Sequence, residues 1–329
     1  MKKIEFGFLK KLSAAFLPVC IMIAGALAFA SCSDDDDNGN GGSSGGATTI
    51  INGKLLTKVG DCNFVYDEKN RLTKIYDDYY DDFIEIDYSA GKAIMTEGEE
   101  AKLSFTKNGY ISKISMSWTD KDEDYSEKGS GNISFTYDGN GHLTKVKMSS
   151  SVSGVEDGEK YSESYTDEYN FTWSNGNMTK VVENGVEKYD GEKEEYNSIY
   201  TYSYGSTDNA FRQYTKALVY PIDDGDWEKI AYAGLIGKSS AKLPSSVTEE
   251  YSYKGYNEPV DTDTENYNVS YTLNDEGSVK SEYFGRSTVN YYYAATTAEA
   301  KAIENTAFRA AKQSEKKLSF RSLFKHRRK

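Results

Sequence analysis

The chain has 329 residues with 28 tyrosines, 28 glycines and only four prolines, and its 52 acidic against 39 basic side chains leave a net charge of −13. Aromatic residues at 14% with so little proline describe a strand-rich protein with amphipathic surfaces and argue against disorder throughout. The acid excess speaks against nucleic acid as a partner, and with His142 and His326 as the only histidines, histidine triads and zinc sites are nearly excluded.

In chain order, Lys2, Lys3, Lys10 and Lys11 precede an apolar run from Leu12 to Phe29, the charged and hydrophobic regions of a secretory signal over residues 1–31. Phe29-Ala30-Ser31-Cys32 resembles the lipobox of bacterial lipoproteins, with phenylalanine where leucine is usual. That resemblance implies a diacylglycerol on the Cys32 thiol and acylation of its freed amine. Ser33, Asp34, Asp35, Asp36 and Asp37 follow at once and resemble the acidic export signal of surface lipoproteins in Bacteroidetes. Residues 32–47, acidic and then rich in Gly and Ser, form a flexible tether. Cys20 lies in the leader and Cys62 is the one cysteine of the folded part, so the mature chain has no intramolecular disulfide.

Residues 48–295 read as one antiparallel β domain. In Ile133–Val146, Ile133, Phe135 and Tyr137 alternate with Ser134 and Thr136. Asp138 to Gly141 supplies a turn, and Leu143 restarts an extended run with Lys145 outward, which is a β-hairpin. The pattern returns at Phe64–Ile75, with Asn70 in the place of Gly141, and at Leu103–Ile114, Phe171–Val181 and Val269–Lys280. Further strands fit Ile84–Tyr88, Ser198–Tyr204, Val247–Tyr253 and Val289–Tyr293. The opposite connections, Asp77–Asp82, Asp120–Glu127, Val155–Lys160 and Glu183–Glu195, read as longer acidic loops. One strand side offers Ser, Thr, Lys and Glu, the other Tyr, Phe, Ile and Val.

The repeat lapses over residues 206–246, where Trp227, Ile230, Ala231, Gly234 and Leu235 fall at helical spacing. A short helix there predicts a plug on the concave face of the sheet; the alternative is a lid over a ligand cavity. Thr296 and Glu299 form a capping box opening a second helix in a basic tail, residues 296–329, which carries ten Lys or Arg against three Glu from Ala298 onward. That tail is read as a frayed end, with contact to an anionic surface as the other reading.

Tyr137-Asp138 and Tyr66-Asp67 with their following residues look like YD repeats of secreted shell and toxin-delivery proteins, though the spacing differs. The stretch from about Ile50 to Tyr293 resembles an uncharacterised lipoprotein family of Bacteroides with a porin-like fold. The likeness rests on the lipobox, the hairpin pattern and the segment Ala231–Pro244. It implies a fold and no activity. The polar side of each strand lacks the continuous apolar band of a membrane-crossing barrel. The expected fold is therefore all-β: a large antiparallel meander forming a curved sheet or a soluble, porin-like barrel, with a helical plug and a helical tail.

Chemistry is sparsely marked. Gly237-Lys238-Ser239 fails as a phosphate loop because Tyr232 stands where the first glycine is needed. Asp120, Asp122 and Asp124 have calcium-loop spacing, but Tyr125 and Gly131 replace the glycine turn and the closing glutamate. Asp261, Asp263 and Glu265 are no more specific, and solvated loops account for both. No catalytic residue, metal ligand or cofactor is assigned. Trp118, Trp173 and Trp227 are candidates for stacking on sugars. The sequence thus describes an outer-membrane lipoprotein, surface-exposed or facing the periplasm, held by its lipid and serving as a non-enzymatic binding or structural module for a glycan or protein partner. The alternative is a glycan-binding accessory protein or a glycoside hydrolase.

Overall fold

The computed structural model describes residues 50–295 except 52–53, 69, 78–81, 88–91, 96–99, 122–124, 157, 223–226 and 258. The leader, Cys32, the acidic run after it, the tether, Asp122, Asp124 and the basic tail lie outside the described residues.

The strands are β1 (Ile50–Ile51), β2 (Lys54–Val59), β3 (Cys62–Tyr66), β4 (Leu72–Asp77), β5 (Asp82–Asp87), β6 (Lys92–Met95), β7 (Glu100–Phe105), β8 (Ile111–Lys121) and β9 (Tyr125–Tyr137). They continue as β10 (Leu143–Glu156), β11 (Glu159–Ser174), β12 (Asn177–Tyr189), β13 (Glu192–Asp208), β14 (Lys242–Lys254), β15 (Asp261–Leu273), β16 (Val279–Phe284) and β17 (Ser287–Ala294). From β2 onward each strand pairs antiparallel with the next, and β17 returns to pair with β2, Tyr291 opposite Val59 and Ala294 opposite Leu55. The meander thus closes on itself as an up-and-down barrel.

The turns at one end follow from local chemistry. Asn70, Gly109, Gly141, Asn175, Gly176 and Gly277 all take positive φ there, between 50° and 88°, the conformation that glycine and asparagine tolerate best. The Asp138 carboxylate accepts the amides of Asn140 and His142, at 2.9 and 2.8 Å, and Asp67 accepts the Arg71 amide at 2.9 Å. The repeated hairpins are therefore real pairings, β3 with β4, β7 with β8, β9 with β10, β11 with β12 and β15 with β16.

The acidic stretches read as loops are mostly strand. Glu183–Glu195 belongs to β12 and β13, which pair out to Tyr189 opposite Glu192 around a turn at Asp190 and Gly191. Asp261–Glu265 opens β15 and pairs with Glu249–Tyr253. Pairing along a neighbouring strand overrides the weak β-propensity of acidic residues. The consequence is an uneven barrel. Among the described residues, β8 beyond Met116 pairs only with β9, and β15 before Val269 pairs only with β14. Above the closed ring, β8 to β15 therefore rise as a curved wing with two free edges. The edge formed by Asp261, Thr262, Asp263, Thr264 and Glu265 is charged, which discourages edge-to-edge pairing.

The chain between β13 and β14 enters the barrel. Helix α1 (Lys216–Val219), a 3-10 turn (Tyr220–Ile222) and helix α2 (Trp227–Tyr232) bury Ala217, Leu218, Val219, Ile230, Ala231, Leu235 and Ile236 against an inner wall that includes Leu56, Leu72, Ile75, Ile114, Leu143 and Val181. Each buried Val, Leu or Ile among them contributes roughly 1.5–3 kcal/mol. The insert is also stitched to successive tight turns: the Ile111 amide donates to Leu235 O at 2.9 Å, Lys238 N to Gly141 O at 2.9 Å, and Ala241 N to Gly176 O at 2.8 Å. Gly237 permits this. Its φ is +95°, and a Cβ there would stand 2.5 Å from Gly141 O. The segment is a floor closing the tight-turn end, so of the two expectations the plug is the one observed.

Candidate functional site

The inner face of the wing lies above this floor. Its inward positions on β15, Asp261, Asp263 and Glu265, are exposed, and Tyr161, Glu163, Tyr165, Glu194, Tyr196 and Tyr251 are half-buried, so solvent reaches the concave face. Charge is sorted across the sheet. On β8 to β15 every lysine falls on the outward parity, whereas Glu127, Glu163, Asp167, Glu183, Glu187, Glu194 and Glu249 stand inward beside the tyrosines. The sequence reading had grouped Glu with the polar outer face; the register divides it. Glu168 remains outside between Lys145 and Lys147, at 2.6 and 2.9 Å. Inside, like charges meet directly across the ladder, Glu187 opposite Glu194 and Glu249 opposite Glu265, an arrangement that destabilises a sheet.

Most inner carboxyls are held by tyrosine hydroxyls. Glu127 accepts Tyr125 Oη at 2.6 Å, Tyr161 Oη at 2.8 Å and Trp118 Nε1 at 2.6 Å. Tyr196 donates to Tyr165 at 2.8 Å, and Tyr165 donates to Asp167 at 3.0 Å. Glu183 accepts Tyr169 Oη at 2.9 Å and Tyr200 Oη at 3.3 Å. Where the wing meets the floor, Tyr220 donates to Glu249 at 2.8 Å. Burial raises the Asp167 carboxyl to about 6 and pushes Glu183 well above the carboxylate range, with the Asp167 charge adding to it.

Glycines set the shape of this wall. Gly185 lies opposite Tyr196 and Gly129 opposite Trp118; a Cβ on either would fall about 2 Å from the facing ring, at 1.8 Å for Tyr196 and 2.1 Å for Trp118. The two rings therefore lie flat along the wall instead of projecting across the concavity.

Glu187 differs from the other acids. Its side chain is buried, 5% exposed, and neither carboxylate oxygen has a hydrogen-bond partner. Burial first, then the charges of Glu194 and Glu163, raise its pKa to about 7. On the far side of Tyr165 in the same cross-strand row, Ser150 Oγ is likewise buried without a partner.

No family model matches the chain. No curated protein matches it either. Among solved structures, a porin-like protein from Bacteroides uniformis superposes with a TM-score of 0.43 at 17% identity, covering 71% of this chain and 89% of that one. A porin-like protein from Bacteroides vulgatus gives 0.45 at 16% identity, covering 73% and 98%.

The three tryptophans do not form one platform. Trp118 lies in the wing over Gly129. Trp173 is at the tight-turn end, stacked on His142 with ring centroids 4.4 Å apart, its Nε1 donating to Leu143 O at 2.7 Å. Trp227 opens α2 in the floor segment. Among the described residues no group of three or more His, Cys, Asp or Glu is arranged to hold a metal ion, and no helix is long and apolar enough to cross a membrane. Sequence reading missed Glu127, Asp167, Glu183 and Glu187. The signal was present in the alternation Tyr161, Glu163, Tyr165, Asp167, Tyr169, which places acids and tyrosines on one strand face.

Proposed function

We propose that this protein is a lipid-anchored binding module of the bacterial outer envelope, tethered through Cys32 and capturing its ligand on the concave face of the wing. The observation that carries the reading is that the floor fills only the tight-turn end and leaves a solvent-reached surface of tyrosines, Trp118 and inward carboxyls above it. Structural scaffolding alone gives no reason to set Glu187 against Glu194 across a ladder. Violations of that kind gather at functional sites.

A second reading, a glycan surface, draws on Trp118, whose ring lies flat along the wall as a sugar-stacking ring does. The hydrolase version of it has less support. Asp167 is buried and Glu183 is engaged by two tyrosine hydroxyls, whereas the carboxyls flanking a scissile glycosidic bond must both reach the sugar. The test is a screen of the purified protein on an array of host and bacterial glycans, with Trp118→Ala and Trp173→Ala alongside. A saturable hit lost in Trp118→Ala and kept in Trp173→Ala places a glycan on the wing. If folded protein retains no glycan and no other small solute, the role is structural and the binding reading fails.

A further inference from the structure

Resting on the binding reading, we infer that the wing recognises an aliphatic polyamine, one ammonium of which is received by the Glu187 carboxylate. Two side chains of this wall keep acceptor atoms without a partner. Glu187 Oε1, Glu187 Oε2 and Ser150 Oγ are buried and unpartnered, and they flank Tyr165 in a single cross-strand row, Ser150 on β10, Tyr165 on β11, Glu187 on β12 and Glu194 on β13. Buried polar atoms in a native protein find partners, so unsatisfied ones mark a missing group. An ionised Glu187 can only accept, so the group that completes it is a donor, and an ammonium, with three N–H bonds and a positive charge, is such a donor.

The surroundings favour more than one charge on the ligand. Glu163 and Glu194 adjoin Glu187 and are half-buried, forming a path from solvent, and no lysine of β8 to β15 shares the inward face. A concave wall of one sign concentrates counter-ions. The Tyr165 and Tyr196 rings supply faces for cation–π contact. A metal ion is less well served, since no three ligating side chains converge among the described residues. The titratable groups facing Glu187 are Glu163, Tyr165 and Asp167 from β11 and Glu194 from β13; β10 contributes Ser150 and Val152. The Glu187 carboxylate takes up its proton as the pH falls through about 7, so binding weakens there.

The experiment is calorimetric titration of the purified protein with spermidine at pH 8 and pH 5.5, with calcium chloride and methylamine as comparison probes. Saturable spermidine binding at pH 8, at least tenfold weaker at pH 5.5, is expected. Glu187→Gln should weaken it at least tenfold while the thermal midpoint at pH 8 stays level or rises, and Ser150→Ala should weaken it less. Spermidine binding that survives Glu187→Gln, calcium binding that competes for the same residue, or no heat from spermidine on folded protein each overturns the proposal. The glycan array separates the two levels: a glycan hit without amine binding removes the polyamine and keeps the binding wing, and neither hit removes both.

Discussion

Glu282 ties the floor to the wall, and replacing it tests whether that tie is structural. It is fully buried on β16 and accepts the amides of Lys216 and Ala217 at 2.6 and 2.9 Å and the hydroxyls of Tyr291 and Tyr271 at 2.6 and 3.3 Å. Thr215, at the N-cap position of α1, makes no capping bond of its own, so this distant carboxylate serves the first turn instead. Glu282→Gln keeps the volume and one acceptor oxygen but turns an NH2 group toward donors. At about 1.5–3 kcal/mol for each hydrogen bond to a charged group, losing two of the four amounts to about 3–6 kcal/mol. Relief from burying a charge, which raises the Glu282 pKa, offsets part of this and leaves a net loss of about 3 kcal/mol. With a urea m-value of ~3 kcal/mol/M, the unfolding midpoint should fall by about 1 M. Amide exchange at Lys216 and Ala217 should accelerate before that of the β11 and β12 ladders. A midpoint within about 0.2 M of the wild type, with unchanged exchange at those two amides, would refute the view that Glu282 anchors the floor.

Three further outcomes follow from the inner wall. Gly185→Ala drives a methyl into the Tyr196 ring and disturbs the relay from Tyr196 through Tyr165 to Asp167, so urea unfolding should show a loss of about 2 kcal/mol or more, and Tyr196→Ala in the same background should restore part of it. Between the ordinary values of 4.5 and 3.8 and the raised values of about 7 and about 6, the folded protein holds more protons on Glu187 and Asp167 than the unfolded chain does. Their contribution to stability is therefore fullest in acid and is lost as the pH rises toward 7 and beyond, by about 2 kcal/mol once solvent screening over the wing is allowed for. Urea midpoints at pH 5.5 and pH 8 check this, and Glu187→Gln should flatten the difference. Glu127→Gln weakens the acceptor shared by Trp118, Tyr125 and Tyr161, so Trp118 emission should shift to the red with at most about 1–2 kcal/mol of destabilisation.

What could be read from the sequence was whatever a few neighbouring residues decide. Asp138 with Gly141, and Asn70 in the same place two hairpins earlier, fix their turns without help from the rest of the chain. The helical spacing of Ile230, Ala231 and Leu235 similarly announced a buried face, and it is buried. The strand identity of Glu183–Glu195 was hidden because those residues favour solvent on their own and become extended only through the ladder between β12 and β13. Glu282 was hidden for a different reason: its partners, Lys216 and Ala217, come from a segment more than sixty positions away. Asp167 and Glu183 meet only through register, and a shift of one residue would have put them on opposite faces.

The closure of the barrel also brings the two ends of the described chain together. Lys54 begins β2 and Ala294 ends β17 beside one another at the tight-turn end, where Leu55 pairs with Ala294. The described chain therefore enters and leaves the barrel on the side that the insert seals, and neither of its ends crosses the rim of the wing.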